Sequence, residues 1–265
     1  ENSISWTFVE PLRHDEFMRL KVPVEKIKDL HPADIAELIS DMNHNESGEL
    51  LNSLDIEHLA DALEEVEPEF QASLVRHMSD EKIADVLEEM SPDEAADLLA
   101  EFPQERSEDL LEMMETEERE EVKLLLSYPE DTAGGLMTTD VVTVNPALTA
   151  AQAIESIRAQ ESEVDAVLYV YVVDEHKRLI GTFSLSELIF AQPRTRVKDF
   201  MHTKFISVNA LDKQDDLAQV VAKYNLPAVP VVDDKNRLLG IVTADDALDK
   251  ILPTAWKKRL PRMYH

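Results

Sequence analysis

The sequence predicts a fold of the α + α/β class, in which an all-helical superhelical repeat domain precedes a tandem pair of β-α-β-β-α units. A segment of about a dozen residues recurs through the first half of the chain, which is typical of a helical solenoid. The order strand-helix-strand-strand-helix occurs twice in the second half. The charge changes at the same place: residues 1–131 hold 38 acidic and 10 basic side chains, whereas residues 132–265 hold 17 and 16.

Each copy of the repeat opens with residues that favour a turn or a helix cap and closes on apolar residues at helical spacing. In the copy that begins at Ser79, the side chains of Ile83, Val86, Leu87 and Met90 fall on one helical face. A helix of about ten residues is not stable alone in water, so neighbouring copies must stack. The clearest copies are HPADIAELISDM, DIEHLADALEEV, SDEKIADVLEEM, SPDEAADLLAEF and PQERSEDLLEMM.

Two helix starts carry a predicted capping box, in which a hydroxyl residue and an acid or amide three residues later bind each other's backbone N–H groups. The first pairs Ser91 with Glu94, and Pro92 between them suits the first helical turn. The second pairs Thr149 with Gln152.

The second half of the chain contains β-branched runs separated by short helical patterns. Strands are predicted over residues 141–144, 166–173, 179–183, 206–208, 228–232 and 238–242. Helices are predicted over residues 149–157, from 184, and over 215–224 and 244–251. The turn residues Asp174 and Gly181 recur 59 residues later as Asp233 and Gly240. Because element order, turn and spacing agree, we expect two related units.

We expect five segments, and the same names are kept below. They are a partial N-terminal segment (1–28), the helical domain (29–131), the first unit (132–195), the second unit (196–253) and a basic C-terminal tail (254–265). The first residue is Glu1, and Ile4–Val9 is typical of part of a strand, so we expect the sequence to be cut from a longer chain.

Composition excludes several classes of function. With no cysteine, disulfides and thiolate metal sites are excluded, and a reducing, cytoplasmic setting is the simplest interpretation. No run reaches the ~20 apolar residues of a membrane span. The acidic helical domain repels nucleic acid. The eight histidines form no paired metal motif, and no glycine-rich phosphate loop is present, so we expect no enzyme.

The motifs carry a family resemblance. VVDEHKRLIGTFSLSEL and VVDDKNRLLGIVTADDAL resemble the second halves of two CBS motifs. The acidic repeats, joined to them through YPEDTAGGLMTTDVVTV, resemble the cytosolic region of MgtE-type magnesium transporters. The resemblance implies a homodimer through the CBS units, in which the helical domain closes onto the CBS pair when magnesium is bound. It also implies an adenine nucleotide, ATP or AMP, in the CBS clefts.

The same resemblance points to magnesium ligands on both sides of the closure. They are Asp61 and Asp93 in the helical domain and Asp246 and Asp249 in the second unit. Magnesium takes oxygen ligands and keeps several waters, so one or two carboxylates per ion suffice. The alternative for each residue is a helix cap or a solvated surface acid.

For the nucleotide, the pattern is a glycine, then a hydroxyl residue, then an acid three residues further on. Thr243 and Asp246 match it well in the second unit, and Ser184 and Glu187 match it less well in the first. The hydroxyl would donate to a phosphate and the acid would accept the ribose hydroxyls. We therefore expect the second cleft to bind more readily. An ordinary helix cap is the alternative for both pairs.

Several positions depart from the family. Asn225 and Leu226 stand where it tends to place an acid and an aromatic, and Pro253 with the basic tail replaces a long acidic helix. Two functions therefore stay open. One is a magnesium-sensing cytosolic module coupled to a membrane transport domain in cis or in trans. The other is a stand-alone adenine-nucleotide sensor whose helical domain is a protein-binding scaffold.

Overall fold

The structure is a computed structural model, and it describes residues 9–11, 18–20, 27–28, 30–42, 44–66, 68–76, 78–160 and 169–249. Near the N-terminus, strands β1 (Val9–Pro11) and β2 (Met18–Leu20) form a short antiparallel hairpin that the sequence did not predict. The strand predicted over Ile4–Val9, apart from Val9 itself, and the basic C-terminal tail lie outside the described residues.

The helical domain is a stack of short helices, as predicted. Each helix packs on the one two positions ahead of it, so the odd-numbered and even-numbered helices form two layers. The apolar face predicted from Ile83, Val86, Leu87 and Met90 is buried between them. The helices are α1 (Pro32–Asp41), α2 (His44–Ser53), α3 (Ile56–Glu64), α4 (Pro68–Val75), α5 (Asp80–Glu89), α6 (Pro92–Ala100), α7 (Gln104–Met113) and α8 (Thr116–Leu126).

One of the two predicted capping boxes is wrong. Ser91 is the N-cap of α6, but its side chain makes no cap hydrogen bond. Instead its backbone N–H donates to Glu64 Oε1 at 2.5 Å, so a carboxylate at the end of α3 binds it from another helix. The box of Thr149 and Gln152 is confirmed, with both reciprocal bonds present.

Both predicted β-α-β-β-α units are present, with short extra helix α11 between them. The first contains β3 (Thr143–Val144), α9 (Ala150–Ala159), β4 (Tyr169–Val173), β5 (Leu179–Ser184) and α10 (Leu185–Phe190), followed by α11 (Val197–Phe200). The second contains β6 (Val208–Asn209), α12 (Gln214–Tyr224), β7 (Ala228–Val232), β8 (Leu238–Thr243) and α13 (Ala244–Asp249).

The two sheets have the same construction. In each, the first strand is parallel to the second, and the second is antiparallel to the third. Val172 pairs with Gly181 in one sheet and Val231 with Gly240 in the other, and a register shift follows each pair. The units are therefore related in structure as well as in sequence.

The second unit shares a core with the helical domain. One continuous apolar cluster runs from the helices through Leu136 and Met137 to Leu217, Val229 and Val242. The first unit has a separate core, centred on Phe183. The helical domain therefore packs on the second unit rather than on the first.

The segment that joins the helical domain to the first unit is bound to the second unit. Ala133 N–H donates to Asp212 O at 2.8 Å, and Gly134 N–H donates to Ala210 O at 2.8 Å. A Cβ atom on Gly134 would lie 2.6 Å from the ring of Tyr128, closer than real contacts allow, so this approach requires glycine. The connection therefore holds the end of the helical domain against the second unit.

Candidate functional site

The candidate site lies where the start of α6 meets the start of α13. Asp93 Oδ1 is sealed from solvent and has no hydrogen-bond partner among the described residues. Burial raises the pKa of Asp93 to about 7, and the negative charge of Asp246 opposite it contributes to the increase. Glu64 adds a smaller repulsion. We call Glu64, Asp93 and Asp246 the acidic junction.

Asp246 is held in place by the residue that precedes its helix. The Thr243 hydroxyl donates to Asp246 Oδ2, and Asp246 N–H donates to Thr243 Oγ1 at 3.4 Å. This is the helix-cap geometry that the sequence offered as the alternative interpretation. The cap leaves Asp246 half-buried at the junction, where its charge acts on Asp93.

Thr138 completes the site from the connecting segment. Its backbone forms an antiparallel bridge with Ile241, with N–H to O distances of 2.9 and 3.0 Å. A Cβ atom on the neighbouring Gly240 would overlap the Thr138 carbonyl oxygen, so glycine permits this approach. The polar side chain of Thr138 lowers the pKa of Asp93, against the larger effect of burial.

The structure brings together two of the four predicted magnesium ligands. Asp246 lies near enough to Asp93 for its charge to raise the pKa of Asp93, whereas Asp61 is exposed on α3, one helical turn before Glu64. Asp249 is the last residue of α13, and its side chain lies outside what the structure describes. Sequence reasoning missed Glu64. The signal available was its position three residues after Asp61, on the same face of one helix.

The donor set suits a hard cation with few protein ligands. Within the described residues, no group of three or more His, Cys, Asp and Glu side chains has the arrangement of a metal cage. Magnesium does not require one, because it is usually held by one or two carboxylates and waters. A buried, unpartnered carboxylate oxygen facing a second carboxylate fits such an ion, since a cation between them would neutralise both.

The corresponding place in the first unit is partly exposed, as it is in the second. Ser184 caps α10 in a complete capping box: Ser184 N–H and Oγ donate to Glu187 Oε2 at 2.8 and 2.9 Å, and Glu187 N–H donates to Ser184 Oγ at 3.2 Å. His202 Nε2 lies 2.5 Å from Glu187 Oε1. The hydrogen bond from Ser184 N–H, helped by those from His202 and the Ser184 hydroxyl, lowers the pKa of Glu187.

Known proteins share this architecture. Residues 30–131 match the MgtE intracellular N domain, and residues 133–194 and 197–253 match the CBS domain. The solved cytosolic domain of the Mg²⁺ channel MgtE, in complex with ATP, aligns with a TM-score of 0.81 and 35% sequence identity, over 86% of this chain and 93% of that one. The chain belongs to the MgtE family. The soluble part of a magnesium transporter aligns with a TM-score of 0.66 and 32% identity, over 86% and 94%.

Longer members of the MgtE family extend beyond this region. The magnesium transporter MgtE of Thermus thermophilus is 44% identical over 131 residues, which are 49% of this chain and 29% of that protein. The Bacillus subtilis magnesium transporter MgtE is 37% identical over 134 residues, 51% and 30% of the two chains. The chain thus spans less than a third of these relatives in the matched stretch. Among its described residues, no helix is long and apolar enough to cross a membrane.

Proposed function

We propose that this chain is the magnesium-responsive regulatory module of an MgtE-type transporter or channel, and not an enzyme. In this proposal the helical domain closes onto the second unit when magnesium is bound. The observation that carries the proposal is the acidic junction, where Asp93 of one domain and Asp246 of the other meet around a buried oxygen with no partner. Location on the cytosolic side of a membrane belongs to the same proposal.

Electrostatics supplies the switch. Two unit charges about 4 Å apart repel each other by about 4 kcal/mol at an effective dielectric constant of 20. The helical domain approaches with a large excess of acidic residues, so closing it without a cation is unfavourable. One ion can bind Asp93 and Asp246 together only in the closed form. Its binding therefore shifts the equilibrium towards that form.

Magnesium titration of the closed form tests the proposal. We expect millimolar magnesium to compact the protein in small-angle scattering and to protect residues 129–135 from protease, whereas sodium at equal ionic strength does neither. Asp93→Ala and Asp246→Ala should each weaken the protection. The double variant should be less than additive, because both residues serve one ion.

Two matched controls isolate the site from general charge effects. Asp245→Ala removes one negative charge from α13, the helix of Asp246, at an exposed position. Asp85→Ala removes one negative charge from an exposed position of the helical domain. Both should respond to magnesium as the unaltered chain does. A protease pattern that is indifferent to magnesium in the unaltered chain would exclude this mechanism.

We also propose that an adenine nucleotide binds in a CBS cleft. The solved cytosolic domain that aligns over 93% of its length is a complex with ATP. The sequence favours the second cleft, where Thr243 and Asp246 match the nucleotide pattern better than Ser184 and Glu187 do in the first, and we propose that cleft.

A homodimer through the two units is part of the proposal. Ile189 and Phe190 at the end of α10 are 73% and 87% exposed, and Leu248 occupies on α13 the position that Ile189 occupies on α10. Exposed apolar side chains at corresponding positions of two related units suit a twofold contact with a second copy. The membrane transport domain would be the other partner, in cis or in trans.

A further inference from the structure

We propose that Glu64 is a positioning residue of the acidic junction. It holds the first turn of α6 through the backbone of Ser91, and so keeps Asp93 where an ion can bridge it to the second unit. The inference rests on the proposed response to magnesium. It attributes the effect of Glu64 mainly to the reach of its side chain, and only secondarily to its charge.

The start of α6 depends on a partner from another helix. The Ser91 side chain makes no cap hydrogen bond, and the next residue, Pro92, has no N–H to donate. Ser91 N–H donates instead to Glu64 Oε1 at 2.5 Å, in a partly buried position. The first N–H groups of a helix have no partner within it, and a carboxylate suits the positive end of the helix. Glu64 therefore fixes where α6 begins.

The position of Asp93 follows from that start. Asp93 is the second residue of α6, two positions after Ser91. Its Oδ1 is sealed from solvent and has no hydrogen-bond partner among the described residues, and the charge of Asp246 acts on it from the second unit. Magnesium binds oxygen at about 2.1 Å and tolerates little deviation from octahedral geometry. A small movement of the first turn is therefore enough to weaken a bridge between the two domains.

The helical domain contains a second copy of the same contact, 24 residues later. Glu115 N–H donates to Glu88 Oε1 at 2.5 Å, so a carboxylate near the end of α5 binds the N-cap residue of α8. Both contacts span 27 positions. The counterpart of Asp93 in the second copy is Glu117, which is exposed. The contact is therefore a feature of the repeat, and at Glu64 it places a carboxylate against another domain.

Magnesium titration of the full chain, followed by protease protection of residues 129–135, separates reach from charge. Glu64→Asp keeps the charge but is one methylene shorter. It should raise the magnesium concentration for half-maximal protection about tenfold, because the bond to Ser91 N–H is lost. Glu64→Gln keeps an oxygen acceptor at the same reach and should raise that concentration by about threefold at most.

Amide hydrogen exchange without magnesium gives an independent measurement. In the presence of a chelator, Ser91 N–H should exchange with solvent about tenfold faster in Glu64→Asp than in the unaltered chain. In Glu64→Gln it should exchange at nearly the rate of the unaltered chain, since the amide oxygen still accepts its hydrogen bond.

Two controls separate positioning from a general loss of stability. Glu88→Asp shortens the equivalent side chain of the second copy, so it should lower the thermal midpoint without changing the response to magnesium. In the Asp93→Ala background, Glu64→Asp should have little further effect on the magnesium concentration, because Glu64 acts through Asp93.

The outcomes separate this inference from the proposal on which it rests. A magnesium response that Glu64→Asp leaves unchanged overturns the inference alone, as do equal shifts in Glu64→Asp and Glu64→Gln, or a shift as large in Glu88→Asp. An unaltered chain that does not respond to magnesium overturns the proposed function as well. If Glu64→Asp folds poorly, Glu64→Gln decides: a tenfold shift with Ser91 N–H still protected refutes positioning.

Discussion

Replacing Asp93 by Asn should stabilise the closed form when no magnesium is present. The pKa of Asp93 is about 7 in the structure against a reference value of 3.8, because the carboxyl group is buried and faces Asp246. Each pKa unit corresponds to 1.36 kcal/mol, so an ionised Asp93 costs the closed form about 4 kcal/mol at pH 8. Asn keeps the shape of the side chain and removes the charge.

The sign of the pH dependence follows from the raised pKa. The closed form binds a proton more tightly than the open or unfolded chain, so its stability is greatest at low pH and falls as pH rises from about 4 to about 7. Asp93→Asn lacks this dependence. The closed form of Asp93→Asn should therefore be more stable than that of the unaltered chain by about 2 kcal/mol at pH 5 and by about 4 kcal/mol at pH 8.

Urea unfolding in the presence of a chelator measures this difference. With a slope of about 2 kcal/mol per molar urea, the midpoint of Asp93→Asn at pH 8 should rise by up to about 2 M. Opening of the helical domain in the unaltered chain relieves part of the repulsion, so this is an upper bound. Asp85→Asn, at an exposed site, should change the midpoint little at either pH. An Asp93→Asn midpoint no higher than that of the unaltered chain at pH 8 would refute the electrostatic argument.

Two further predictions concern other contacts. Gly240→Ala should lower stability and weaken magnesium protection, because the added Cβ overlaps the Thr138 carbonyl oxygen; a thermal midpoint and protease pattern equal to those of the unaltered chain would contradict this. Ile189→Ser with Phe190→Ser should convert the dimer into a monomer in light scattering. Met113→Ser, at an exposed apolar position of the helical domain, should leave the dimer intact, and a monomeric unaltered chain would refute the proposed contact.

Local signals in the sequence predicted most of the secondary structure. Helical periodicity and caps identified the stacked helices, since a short amphipathic helix must bury its apolar face on a neighbour. Asp174 and Gly181 recur as Asp233 and Gly240, which predicted two related units. The matching strand registers of the two sheets confirm this prediction. The strand boundaries were less certain, because short strands depend on their partners: β3 covers only Thr143–Val144 of the predicted 141–144.

The misassigned capping box shows where local reasoning stops. Ser91 and Glu94 have the spacing of a box, but Glu64 from another helix binds the Ser91 N–H. A sequence window contains only neighbours along the chain, whereas this carboxylate is 27 positions away. Competition between near and distant partners is decided by the packing of α3 against the later helices.

The sequence by itself therefore determined the fold class, the two kinds of domain and the residue types that could bind magnesium or a nucleotide. Those depend on periodicity, turn chemistry and short motifs. Only the tertiary structure decided that Asp246 and Glu64 lie near enough to Asp93 to raise its pKa, and that His202 contacts Glu187. Each of these contacts joins separate elements, and its effect on charge depends on burial, which no stretch of sequence specifies alone.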